Sequence, residues 1–191
     1  MATVFAHFVA AGALSCLAPQ NVSRRRLVLV LGFMAMVPDL DVVGFWYGIA
    51  YADPLGHRGF THSIVFALLV GVAVPFVAFR EVRAFSLTWW FLAALVFLAT
   101  ISHGILDAFT NGGLGVGFLI PFDDTRYFAP WRPIAVPPLS ISAFFDGSGL
   151  RILASEAFWI GVPVLVFVFL CLGLGKLLRP KGLKAHDDPR A

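Results

Sequence analysis

Three short strings carry the residue types that bind metals and move protons. The first is His57-Arg58-Gly59-Phe60-Thr61-His62-Ser63, where two histidines flank a glycine turn that opens into an apolar run. Imidazole is a common ligand for borderline metals, and this turn lets His57 come from a loop and His62 from the first turn of a helix. Arg58 between them offers a fixed planar cation for a phosphate or a carboxylate. The second string, His103-Gly-Ile-Leu-Asp107, is an i, i+4 pair. On a helix its imidazole and carboxylate share one face about 5–6 Å apart, which suits two ligands of one metal, or a ligand and the group that orients it. The third, Pro38-Asp39-Leu40-Asp41, puts two carboxylates at a helix break, where they can converge on one cation.

Each string also has a purely structural reading. His103 and Asp107 can be a helix-surface pair, Asp39 and Asp41 can cap a turn, and His57 and His62 can be interfacial histidines beside a capped helix. His7 by itself reads as a packed or interfacial histidine. Glu156 reads as an acid favoured by the dipole at the start of the last helix.

The segments that carry these residues belong in a bilayer. The chain has 191 residues, 59% hydrophobic and 13% charged, against the roughly 45–50% and 25% of soluble domains, and its mean hydropathy is +0.86. Twenty Phe and long aliphatic runs exclude disorder, and two cysteines in apolar stretches exclude a disulfide scaffold. Candidate spans are Thr3–Ala18, Leu27–Val37 with an extension toward Tyr51, Ser63–Phe79, Leu87–Leu106 and Ala157–Leu178. A span takes about 17–25 residues, so the last three qualify, the first is marginal and the second is interrupted by Pro38, Asp39 and Asp41. The fold class expected is therefore all-α, an integral membrane bundle of four to five helices. Residues 1–178 form a single domain carrying the site, and residues 179–191 form a polar cytoplasmic tail.

Basic residues set the orientation. With Arg24–Arg26, Arg80, Arg83, Lys176, Arg179, Lys181, Lys184 and Arg190 inside, ten of 14 Lys/Arg are cytoplasmic, the N-terminus is outside and the C-terminus inside. The net charge of only +3, with its basic residues in these clusters, argues against a nucleic-acid partner. Residues 107–156 form an extracytoplasmic segment rich in Gly (Gly112, Gly113, Gly115, Gly117) and Pro (Pro121, Pro130, Pro133, Pro137, Pro138), expected to lack a long helix.

This topology, derived without reference to the polar strings, places His7, Asp39, Asp41, His57, His62, His103 and Asp107 in one outer layer. Seven such residues exceed the three protein ligands of one catalytic zinc, so more than one ion is expected, with zinc foremost and manganese or magnesium as alternatives.

The order of His7, Pro38-Asp39-Leu40-Asp41, His57 to Ser63 and His103 to Asp107 resembles the YdjM-type family of predicted membrane-bound metal-dependent hydrolases, over residues 1 to about 130. That family is distantly similar to zinc-dependent phospholipase C. The resemblance implies an all-α metal-dependent hydrolase of phosphoesters in a prokaryotic inner membrane. By their own chemistry, Arg58 is expected to neutralise charge in the transition state, and Asp107 or Asp41 to serve as base where it is not a ligand. A lipid or lipid-linked phosphate is the substrate class expected at headgroup depth. The alternative is a metal-binding or ion-transporting membrane protein that performs no hydrolysis.

Overall fold

Serine or threonine opens each of the first four helices. Thr3 caps α1 (Val4–Gly12), Ser23 caps α2 (Arg24–Met34), Ser63 caps α3 (Ile64–Ala78) and Ser86 caps α4 (Leu87–Ala108), each side-chain oxygen accepting from the N–H three residues on. A cap of this kind satisfies one of the donors that a helix start leaves unpaired. The last rod comprises α5 (Gly149–Glu156), a π-helical turn (Ala157–Gly161) and α6 (Val162–Leu177). These elements come from a computed structural model, which describes residues 2–137 and 149–177. The expected tail over residues 179–191 and the part of the outer loop over residues 138–148 lie outside the described residues.

Two helices tighten before they end. α1 passes into a 3₁₀ turn (Ala13–Leu17), and α2 gives way to a 3₁₀ segment (Val37–Tyr47) that closes on Gly48 at φ 77°. Pro38 has no N–H to give and forces the change, and the left-handed Gly48 ends the segment. This change of winding sets Asp39 and Asp41 on different sides of the site.

Arg24–Tyr47, Leu87–Ala108 and Gly149–Leu174 are long and apolar enough to cross a membrane, while Val4–Leu17 and Ile64–Ala78 are shorter. Within the expected span Ser63–Phe79 the helix is Ile64–Ala78, shorter than those three. Its 15 helical residues rise only about 22 Å, against a hydrocarbon core of about 30 Å. The last span, by contrast, starts earlier than expected, at Gly149 instead of Ala157.

The core lies between α1, α2 and α4, where Ala11, Leu27, Leu31, Leu92, Leu95, Val96 and Ala99 are buried. α3 lies along α4, close enough that a Cβ on Gly71 would come within 3.1 Å of the Ala93 carbonyl oxygen. On α6, Leu165, Val166, Phe169 and Leu170 remain uncovered by protein. Such a face suits lipid, which needs no polar partner from it. Away from the polar strings, Arg26 pairs with Glu81 and reaches the Ala78 carbonyl, tying α2 to the end of α3.

From residue 109 to 137 the chain forms no helix, as expected, whereas the far end of the expected loop, Gly149–Glu156, is helical. Isolated bridges pair Thr110 with Ile134 and Val116 with Tyr127. The segment is bound down onto the histidine string: Gly117 N–H donates to the Arg58 carbonyl at 2.8 Å and Ile64 N–H to the Phe118 carbonyl at 3.0 Å. Arg126 adds bonds to the carbonyls of His57 (2.9 Å), Asp53 (2.9 Å) and Tyr51 (3.2 Å).

Candidate metal centre

The seven residues expected in one layer meet at one place. Asp39 comes from the 3₁₀ segment, His62 from the 3₁₀ turn Phe60–His62, and His103 and Asp107 from successive turns of α4. One potential ligand atom from each of these four residues lies within 4.8 Å of the others. That span is close to what ligands about 2 Å from a shared ion require.

Three orienting contacts fix which way the imidazoles face. His103 Nδ1–H donates to the Ala35 carbonyl at 2.6 Å, leaving Nε2 as the lone-pair nitrogen, 3.2 Å from Asp39 Oδ1. His57 Nδ1–H donates to Asp41 Oδ1 at 2.7 Å. His62 Nδ1 lies 3.2 Å from Asp41 Oδ2, which also accepts the Thr61 hydroxyl (2.8 Å) and Arg58 N–H (3.1 Å). A carboxylate or carbonyl behind a histidine is the usual device for fixing its tautomer toward a metal. His62 Nε2 is thereby turned inward, 3.8 Å from both Asp39 Oδ1 and Asp107 Oδ2.

His7 reaches the cluster from α1. Its ring stacks on His103 with centroids 3.7 Å apart, and its Nε2 lies 3.4 Å from Asp107 Oδ1. Arg58 has backbone φ 62° and is fully buried. The left-handed backbone is uncommon for a residue with a side chain, and the guanidinium here lies entirely among protein oxygens. Nε lies 3.0 Å from Asp107 Oδ2, Nη1 donates to the Gly112 carbonyl at 2.9 Å and Nη2 to Thr110 Oγ1 at 2.9 Å. The cation that the sequence offered to an incoming phosphate is thus engaged behind Asp107.

Gly104 stands on α4 where a Cβ would come within 3.1 Å of the His62 carbonyl and 3.2 Å of Phe118. Its missing side chain lets the histidine turn and the outer segment close over the helix. Glu156 departs from its expected place. It lies at the end of α5, a full eight-residue helix from the start, so the dipole argument does not apply to it.

The residues present fit a divalent cation. Among the described residues, the buried side-chain atoms of this cluster without a hydrogen-bond partner include His7 Nδ1 and Nε2, both Asp39 carboxylate oxygens, His62 Nε2 and His103 Nε2. Leaving one such atom unpaired costs about 1–3 kcal/mol, so a cluster of them is tolerated only where something else satisfies them. Mixed imidazole and carboxylate donors suit zinc, manganese and related ions. The electrostatics agree. Burial would push the His62 imidazole down, but the negative charge of the Asp39 and Asp41 carboxylates facing it outweighs that and raises the pKa to about 9. The carboxylates here call for a cation.

The orienting groups Ala35 O, Thr61, Thr110 and Gly112 O were not singled out as site residues in the sequence. Thr61 carried a signal, being a hydroxyl inside the histidine string, and Thr110 lies in the loop after Asp107 that the family resemblance takes in. The two carbonyls leave no trace in residue type.

Residues 1–179 match the model of the YdjM inner membrane protein family. The chain is also similar to the inner membrane protein YbcI of Escherichia coli (strain K12), with 41% identity over 138 residues, covering 72% of this chain and 78% of that protein. No solved structure matches.

Proposed function

We propose that this chain, a multi-pass member of the YdjM family of inner membrane proteins, is a metal-dependent hydrolase of phosphoesters. The observation that carries the reading is the cluster of buried, unpartnered imidazole and carboxylate atoms contributed by Asp39, His62 and His103, with Asp107 beside them. These four are assigned as ligands of one ion. Asp41, His57 and His62 also lie close enough to hold an ion. Because Asp41 turns both oxygens toward Nδ1 atoms, we assign Asp41 and His57 to the orienting layer, and the expectation of several ions narrows to one. Zinc, bound there, would polarise a phosphoryl oxygen and lower the pKa of a water toward about 7.

The protein's own part is to orient and to handle protons. His7, stacked on His103 and beside Asp107, has, among the described residues, neither ring nitrogen in a hydrogen bond, which suits it to take a proton from the attacking water. Arg58 holds Asp107 in place from behind.

The substrate class proposed is a lipid or lipid-linked phosphate. Trp46, Tyr47, Phe122 and Trp131, in the segments that frame the site, are exposed. Aromatic rings of this kind gather at headgroup depth. Detergent-purified protein loaded with zinc is expected to release phosphate or headgroup from a phospholipid or lipid-linked phosphoester, and His62→Ala to abolish it. Wild-type inactivity across such substrates, with metal bound, would move the assignment to metal binding without hydrolysis. Ion transport is disfavoured by the core beneath the site. Ala11, Leu27, Leu31, Leu92, Leu95, Val96 and Ala99 offer no polar path, and Thr100 bonds its own helix at Val96.

The orientation proposed is N-out and C-in, with the site outside and the Arg26–Glu81 end inside. Reporter fusions after Arg83 and after Ile134 are expected on opposite faces. Same-face results would defeat this topology.

A further inference from the structure

The last rod carries none of the three strings, yet it is linked to the metal centre by a short chain of hydrogen bonds. Glu156 is buried at 5% exposure, with its carboxylate turned to the start of α1. Its Oε2 accepts the Thr3 hydroxyl at 2.6 Å and its Oε1 accepts Thr3 N–H at 2.5 Å. Thr3 is the residue that caps α1. One residue before it, Ala2 N–H donates to Asp107 Oδ1 at 3.0 Å; one turn after it, His7 Nε2 approaches the same oxygen at 3.4 Å. These two contacts to Asp107 flank the residue that Glu156 holds.

Two further features set Glu156 apart from an ordinary helix clasp. The π turn Ala157–Gly161 begins at the next residue, and π turns inside helices recur at functional sites. Its two oxygens also take the two Thr3 donors separately, a division that a side-chain amide, with one acceptor oxygen, does not reproduce.

We propose that Glu156 is a positioning residue of the metal centre, acting through Thr3 to set where Ala2 N–H and His7 meet Asp107. The inference rests on the metal-binding reading above. It gives the final span, which had no role in the sequence, a part in the site.

The test is titration of Co²⁺ into the metal-free, detergent-solubilised full chain, following affinity and the visible ligand-field bands. Glu156→Asp keeps the charge but draws the carboxylate back by one methylene. It is expected to weaken Co²⁺ binding by about tenfold or more, the usual scale for a lost outer partner, and to shift the bands. Glu156→Gln keeps an acceptor for Thr3 N–H and is expected to bind closer to wild type. Thr3→Val, which removes the hydroxyl from the other side, carries the same expectation as Glu156→Asp and sustains the test if a Glu156 variant fails to accumulate. A purely structural clasp would lower the melting temperature of the metal-free protein and leave bands and affinity unchanged. That outcome in Glu156→Asp or Thr3→Val overturns the proposal while the metal centre stands. A wild-type chain that binds no Co²⁺ overturns both.

Discussion

Asp107→Ala is expected to lose bound metal and, with it, all phosphoester hydrolysis, while the protein still inserts and accumulates. Asp107 is where the site's contacts concentrate. Its oxygens meet Ala2 N–H, His7, His62, His103 and Arg58 at 3.0–3.9 Å. Removing the carboxylate deletes one ligand and leaves the Arg58 guanidinium buried with two neutral acceptors. Breaking a buried pair from one side typically costs about 3–5 kcal/mol. Insertion survives because α4 is held by its apolar face, Leu92, Leu95, Val96 and Ala99, and not by its polar end. Metal analysis and a thermal melt of the purified variant check this. Wild-type metal content in Asp107→Ala would remove it from the ligand set. Asp107→Asn sharpens the comparison, since it preserves shape and the bond from Ala2 but gives up the charge that attracts a cation.

Arg58→Lys carries the second large effect, and its direction separates two roles for the arginine. Were the guanidinium free to clamp a phosphate, the lysine variant would bind metal normally and turn over poorly. With Nε on Asp107, Nη1 on the Gly112 carbonyl and Nη2 on Thr110, a single ammonium cannot hold all three, because lysine offers a point charge where arginine offers a planar fork. Metal affinity itself is then expected to fall by about 10- to 100-fold, the range for outer-layer partners. Isothermal titration with Zn²⁺ measures it. Unchanged affinity with lost turnover would return Arg58 to the substrate side.

Much of this site was legible in residue type and order. His103 and Asp107 come together because four residues is about one helical turn, and α4 is a regular helix there. The shared layer followed from the positions of basic residues, which lie far from the site. What sequence could not separate was Asp39 from Asp41. They are the same residue type two positions apart, and only the 3₁₀ winding after Pro38 faces one toward the cluster and the other toward the Nδ1 atoms of His57 and His62. Arg58 was legible as a cation, but the direction it faces depends on a left-handed backbone that its residue type does not announce. The link from Glu156 to Thr3 joins positions 153 residues apart. No local pattern reports such a contact, because it depends on how the first and last helices pack.

Every role assigned above depends on the buried cluster holding a divalent metal ion. Elemental analysis of the detergent-purified wild-type chain beside an Asp39→Ala, His103→Ala double variant measures that ion. The expected result is stoichiometric metal, close to one ion per chain, in the wild type, and background levels in a variant that still melts cooperatively. A wild-type chain that stays metal-free after dialysis against zinc and manganese, with a melting temperature unmoved by either, would contradict it.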